Sequence, residues 1–423
     1  MGKYLKEFEL ISQYEEYINS DMAILPNVSI INDINGVYYN PKVPNYLKFT
    51  AEEDNSTISL NAKTSPDIKY SLNGSDWTQW DYSAITLNTS DTVYMKGNNS
   101  NGFSTGNFST SSFNQFEMTG KIGASGNIMS LLYEDDFEGK LTIPCNYCFF
   151  CIFSDCTALT TTPELPATTL SYGCYYNMFH GCTALTVAPE LPATTLSESC
   201  YGAMFYRCTA LTVAPELPAI SLAEDCYSDM FFGCTSLTTA PELPATTLAY
   251  GCYYNMFWDC TSLTATPELP ATTLIKNCYS HMFGGCTALT TAPELPATTL
   301  ADNCYSDMFR GCTALTTAPI TLPATTLTKN CYSTMFCDCT LLTTAPELPA
   351  TTLASGCYYY MFSGCTKLNY IKMLATNIDA KYCLYCWLDN VSSTGKFVKH
   401  PNMTSLSTGS SGIPTGWTVQ DAA

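Results

Sequence analysis

Cys174-Tyr175-Tyr176-Asn177-Met178-Phe179-His180-Gly181-Cys182-Thr183-Ala184-Leu185-Thr186-Val187-Ala188-Pro189-Glu190-Leu191-Pro192-Ala193-Thr194-Thr195-Leu196 is one unit of a pattern that fills most of this chain. One cysteine column runs Cys148, Cys174, Cys200, Cys226, Cys252, Cys278, Cys304, Cys331, Cys357, Cys383, at a step of 26 with a single step of 27. A second column follows eight residues later, from Cys156 and Cys182 to Cys339 and Cys365. Self-similarity at such a period marks stacked structural units, each burying its apolar side against its neighbours.

Within a unit, taking the first cysteine as position i, the residues Cys, Tyr, Met, Phe and Cys fall at i, i+1, i+4, i+5 and i+8. That spacing reads as one face of a helix. The residue before it is Gly173, Ser199, Asp225, Gly251, Asn277, Asn303, Asn330 or Gly356, each a favoured N-cap type. Glycine recurs at i+7, as in Gly181, Gly233, Gly285, Gly311 and Gly364, where it would end the helix. A helix of about two turns cannot stand alone, so stacking must hold it. T-x-L-T-x-A then alternates like a short strand closed by proline, and leucines such as Leu185, Leu191 and Leu196 turn inward.

The expected fold class is mixed α/β: a leucine-rich-repeat solenoid of 26-residue rungs, each a short helix plus a short strand. A small β-sandwich and an N-terminal helix–hairpin precede it. Residues 4–19 carry Leu5, Phe8, Ile11, Tyr14 and Ile18 on one helical stripe. Val28–Ile31 and Val37–Tyr39 flank Asn35-Gly36 as a hairpin. Short runs at Leu47–Thr50, Thr57–Leu60, Ile68–Leu72, Ile85–Leu87, Thr92–Lys96 and Phe113–Met118 suggest an immunoglobulin-like sandwich. The expected division is 1–45 for attachment or oligomerisation, 46–118 sandwich, 119–147 cap, 148–382 solenoid and 383–423 closing cap.

The unit resembles the BspA-like leucine-rich repeats, whose rung reads roughly A-F-x-x-C-x-x-L-x-x-I-x-I-P. Met178-Phe179-His180-Gly181-Cys182-Thr183-Ala184-Leu185 stands in for it, and Pro-Glu-Leu-Pro for the strand end. The likeness covers about residues 145–390. It implies a surface adhesin, or a protein carried by phages or prophages of gut Bacteroides-group bacteria. The Lys-Tyr-Leu-Lys-x-Phe opening and the Gly-Ile-Pro-x-Gly-Trp ending resemble the phage-borne members. Secreted members carry a signal peptide, whereas Met1–Lys6 leads into a charged amphipathic stretch.

Charge narrows the function classes. Thirty-seven acids against 18 bases give a net charge of −19, which argues against nucleic acid and against an anionic membrane surface. No run is long enough to insert in a bilayer. All 23 cysteines lie from Cys145 onward, and the columns read as small buried apolar fillers, with no cofactor. Cys145, Cys148, Cys151 and Cys156 have metal-like spacing, but two of them are ordinary column positions. Glu164, Glu190, Glu216, Glu242, Glu268, Glu294 and Glu347 form a like-charge column, read as solvated rather than calcium-bridged. Three histidines, His180, His281 and His400, suggest by their order no cysteine–histidine or serine–histidine–acid set, so no enzyme is expected.

The informative residues vary from rung to rung. Positions i+2, i+3 and i+6 are expected to face outward: Tyr176, Asn177, His180; Gly202, Ala203, Tyr206; Ser228, Asp229, Phe232; Tyr254, Asn255, Trp258; Ser280, His281, Gly284; Ser306, Asp307, Arg310; Ser333, Thr334, Cys337; Tyr359, Tyr360, Ser363. Aromatic and small polar residues on a rigid frame have the chemistry of a recognition surface, and drift on a solvated face is the plain alternative. The functional expectation is a phage virion protein, a fibre or decoration component. Its repeat face would bind a host cell-surface glycan or protein, and its amino-terminal segment would bind other virion proteins or a second copy. A bacterial cell-surface adhesin and a cytoplasmic interaction scaffold are the alternatives.

Overall fold

A computed structural model describes residues 28–33, 36–41, 44–106, 109–110, 112–403 and 406–423, with side chains from residue 44 onward. The expected helix at residues 4–19 lies outside the described residues. Strands β1 (Val28–Asp33) and β2 (Gly36–Pro41) pair antiparallel.

Alternating apolar residues then build two sheets. The larger contains β3 (Leu47–Ala51), β5 (Lys69–Ser71), β6 (Thr78–Gln79), β8 (Thr92–Lys96), β10 (Ile122–Ser125) and β11 (Leu159–Thr161), in the order β11-β10-β3-β8-β5-β6. The smaller is β7 (Ile85–Leu87), β4 (Ser56–Asn61) and β9 (Gln115–Thr119), in the order β7-β4-β9. Every second residue of β3 and β4 is buried, as a half-covered strand requires. Phe49 of β3 meets Phe116 of β9 at 5.1 Å between ring centres. Strand β10 comes from the stretch expected to be a separate cap, and its parallel partner β11 belongs to the first rung.

The helix-and-strand solenoid expected from the sequence is overturned. Among the described residues the one α-helix is α1 (Ser130–Tyr133), four residues long. Each predicted rung helix is instead a ribbon of overlapping turns. The cause is a residue with positive φ at every fourth place, i−1, i+3 and i+7. In one rung these are Gly173, Asn177 and Gly181; in another, Asp225, Asp229 and Gly233. An α-helix needs φ near −63° at every residue, so it cannot pass through such positions. Glycine, Asn and Asp tolerate the left-handed region best, and they fill most of these columns.

The amides alternate accordingly. Cys174, Tyr176, Met178, His180 and Cys182 donate to carbonyls three residues back in their own rung. Gly173, Tyr175, Asn177, Phe179 and Gly181 donate to Glu198, Cys200, Gly202, Met204 and Tyr206 of the next rung. Every amide from Gly173 to Cys182 has a partner, although the ribbon is neither helix nor sheet. Between the first rung, which keeps β11, and the closing sheet, the expected T-x-L-T-x-A strands reduce to isolated parallel bridges, such as Val187 with Val213 and Thr291 with Thr317. Ribbon bonds already hold the rungs together there, and the following prolines have no amide to extend a ladder.

Inside the stack, Cys, Tyr, Met, Phe and Cys of each unit are at most 1% exposed. Phenylalanines from Phe153 through Phe179 and Phe257 to Phe362 stack at 5.5–5.7 Å. A tyrosine column runs beside them from Tyr175 to Tyr358. At one end Phe116 stacks on Phe153 and Phe103 packs on Phe149, so the sandwich supplies the next layer of both columns. At the other end Trp387 covers Tyr358 and Phe362 together. The strands β12 (Tyr370–Met373), β13 (Gly395–Lys399) and β14 (Trp417–Asp421) close that end as a parallel sheet.

All 23 cysteines are free thiols, and the second column does more than fill space. Cys182 donates to the Phe153 carbonyl at 3.1 Å, Cys208 to Phe179 at 3.0 Å and Cys234 to Phe205 at 3.1 Å. That phenylalanine carbonyl also accepts its own rung's cysteine amide, as Phe179 does from Cys182. The thiol therefore occupies the second lone pair of a buried carbonyl.

Thr334 tests the ribbon geometry, because it is β-branched and sits at φ 57° in the i+3 column. A branched side chain in the left-handed region costs about 1–2 kcal/mol. Thr334→Asn, which copies Asn177 and Asn255 of the same column, should raise stability by about 1 kcal/mol in urea denaturation. A loss of stability would show that the backbone there is not left-handed.

Candidate functional site

The ribbon face carries the residues singled out in the sequence, and the structure packs most of them against one another. In the i+6 column His180, Tyr206 and Phe232 stack face to face, at 5.0 Å and then 4.5 Å. Trp258 leans over His281 at 5.4 Å and covers the place a side chain at Gly284 would take. Phe232 and Trp258 are half-buried, where the sequence suggested full exposure. Arg310 is exposed and lies 3.5 Å from Asp307. Tyr359 stacks on Tyr385 at 5.4 Å, with Tyr360 edge-on to both.

The i+3 residues differ in kind from the outward set expected, because they are left-handed backbone positions. Asn177 is buried, and Asn255 donates from its side chain to Asp229 Oδ1 at 3.0 Å. His281 is tilted beneath Tyr254 at 5.3 Å. It also reveals a group that sequence order does not show: Ser280 Oγ lies 2.7 Å from His281 Nδ1, and His281 Nε2 lies 3.5 Å from Asp307 Oδ2. The set has the residue types of a hydrolase triad. Ser280, however, is 2% exposed and also reaches the Ser306 carbonyl, so its oxygen has no face open to a substrate. Burial lowers the His281 pKa, which favours the neutral ring.

Among the described residues a cavity of ≈ 660 Å³ opens on this face beside Tyr176 and Tyr254, and another of ≈ 650 Å³ lies beside Ser333, Tyr359 and Tyr385. The walls of the first follow from the i+2 column, which reads Phe150, Tyr176, Gly202, Ser228, Tyr254. Two small residues between aromatic ones leave a gap. Tyr176 stacks on Phe150 at 5.9 Å and spreads over Gly202, where any Cβ would strike its ring. Tyr254 stands three rungs away, roughly 14 Å at the spacing of paired backbones. Tyr172 and Tyr250, two residues before their cysteines, widen the aromatic rim. Asn277 steadies Tyr250 by donating to its hydroxyl at 3.1 Å.

The lining is acidic. Asp225 and Asp229, both left-handed and four residues apart on one ribbon, border the gap. Asp229 is held by Ser228 at 2.8 Å and by Asn255. Burial raises its pKa, and those two donors partly offset the shift. Asp225 has no cation or donor against its carboxylate among the described residues. Burial first, then Glu224, Glu198 and Asp229, push its pKa up to about 6 from the ordinary 3.8. The sequence signal for this site was partial: Gly202 and Ser228 fall between Tyr176 and Tyr254 beside Asp225 and Asp229, but the same column also carries Ser280, Ser306 and Ser333. The remaining sequence candidates do not converge. Among the described residues no three His, Cys, Asp or Glu side chains are grouped to hold a metal. The glutamate column is exposed: Glu164 accepts from Asn45 at 2.9 Å and Glu347 pairs with Lys372 at 3.0 Å.

A carboxyl with a raised folded-state pKa keeps its proton in the folded chain where the unfolded chain has lost it. Stability therefore falls as pH rises from about 4 to about 6, and stays lower above that window. Two pKa units set a ceiling of about 3 kcal/mol, and solvent screening of a partly exposed group reduces this to the order of 1 kcal/mol. Asp225→Asn, matching Asn277 and Asn303 in the same column, should stabilise the protein by that amount at pH 8 and leave pH 3.5 unchanged. Thermal melts at the two pH values check this, and equal shifts at both would refute the assignment.

Compared with family models, curated proteins and solved structures, the chain matches none of them.

Proposed function

We propose that the chain is a structural protein of a phage virion, a fibre or decoration component. Its ribbon face would bind a host cell-surface glycan or protein, and its amino-terminal segment would attach it to other virion proteins. Its work is recognition rather than catalysis. The single observation that carries this reading is the tyrosine-rimmed cavity set into a stiff stack. Every rung there is tied to the next by five ribbon hydrogen bonds and two ring columns. Such a frame holds contact groups in place without ordering cost on binding, which is how rigid aromatic anchors contribute affinity. The phage setting rests on the resemblance of the repeat and of the two chain ends.

Two measurements test it. Mass spectrometry of gradient-purified particles should find the chain at a fixed ratio to the capsid protein; its absence from particles would end the virion reading. In adsorption to host cells, Tyr176→Ala combined with Tyr254→Ala should reduce attachment at least tenfold, since each anchor contributes more than about 1 kcal/mol. Val187→Ser with Val213→Ser, exposed and outside the cavity lining, should leave attachment near normal. Equal attachment by all three proteins would remove the cavity from the recognition surface.

A further inference from the structure

We infer that the cavity between Tyr176 and Tyr254 binds a protonated primary amine, its ammonium against the Asp225 carboxylate and its carbon body against the tyrosine rings. This rests on the reading that the ribbon face is a binding face. Shape comes first: the Tyr176 ring lies over Gly202, and beyond it, beside Ser228, the face opens before the Tyr254 ring, with aromatic rings at either end. That is room for one sugar ring or one alkyl side chain, not for a folded surface.

Charge selects what enters. Asp225 and Asp229 border the gap, with Glu198 and Glu224 close enough to Asp225 to act on it. Lys276 sits over the Tyr250 ring at 5.9 Å, and no lysine acts on either aspartate among the described residues. An anionic ligand would add to this repulsion, and a neutral one would leave it standing. An ammonium ion removes it, and offers three N–H donors to carboxylate oxygens that have acceptor capacity left. Tyrosine faces favour the same ligand, because a cation near a ring is attracted by the ring quadrupole. Serine hydroxyls at Ser199 and Ser228 complete a polar lining that suits a hydroxylated body.

Calorimetry on the full chain at neutral pH, with three probes, tests the inference. Glucosamine and Nα-acetyl-lysine methylamide carry the amine on a sugar and on a peptide side chain; N-acetylglucosamine has the amine masked. The two amines should bind at least tenfold more tightly than the masked sugar, and Asp225→Asn should weaken both at least tenfold. The tighter of the two amines names the source, glycan or protein. Binding of the masked sugar as strong as that of glucosamine, no heat from either amine, or amine binding indifferent to Asp225→Asn would each overturn it. The outcome separates from the display reading. Cell attachment that needs Tyr176 and Tyr254 without amine binding defeats only the ligand class. Amine binding without any effect on attachment defeats only the display reading.

Discussion

The stack depends on one arrangement of backbone hydrogen bonds. Along each ribbon, alternate amides turn back into their own rung and the others reach the next. A helix spends its amides internally and leaves only side chains to bind its neighbours. Here half of the ribbon's amides join neighbours, so a rung is not a stable unit until another lies on it. That is the physical content of quasi-one-dimensional stability. It also explains why both ends are closed by unlike structure. The Ser104 amide donates to the Cys148 carbonyl and the Phe116 amide to that of Ile152, so the sandwich edge acts as one more rung. Beyond the last full rung, Trp387 fills the width of two columns, and its indole donates to the Gly412 carbonyl at 3.0 Å.

The side chains answer to the same geometry. Stacking one residue type on itself at each rung forces identical shapes to lie parallel, and the ring columns stay within a few degrees of that from Phe179 to Phe283. The second cysteine column suits a site that is apolar in volume yet faces a carbonyl with a spare lone pair. Alanine would leave that lone pair unused, and valine would add a methyl where the next rung already sits. Burial keeps these thiols protonated, pushing their pKa upward, so they donate and do not react.

Recognition, in this reading, is written in departures from the repeat. A perfect repeat would present a uniform ladder with no place to bind. At i+2 Gly202 and Ser228 stand between Tyr176 and Tyr254, and Asp225 stands at i−1, where most other rungs have Gly or Asn. Because neighbouring rungs are rigidly coupled, each local change lines up with the next across rungs rather than relaxing away. Several departures compensate: Tyr176 spreads over Gly202, Trp258 over Gly284, and Tyr206 pairs with Phe232. The cavity lies where compensation is incomplete.

Composition and periodicity alone determined the 26-residue step, the buried identity of Cys, Tyr, Met, Phe and Cys, and the acidic balance. The tertiary structure decided how the chain runs between those positions. The apolar spacing i, i+1, i+4, i+5, i+8 repeats every four residues, and over so short a stretch a period of four cannot be told from 3.6. Read one at a time, Asn and Gly at i−1 and i+7 look like helix caps, and Asn255 at i+3 looks like surface. Only together do they mark a left-handed residue in every turn, as in Asn277, His281 and Gly285. Nor could the helical reading place Ser280, His281 and Asp307 together, or leave Asp225 with no cation or donor among the described residues. Contacts between rungs do both, and they exist only because the ribbon sends half its hydrogen bonds across the gap between one rung and the next.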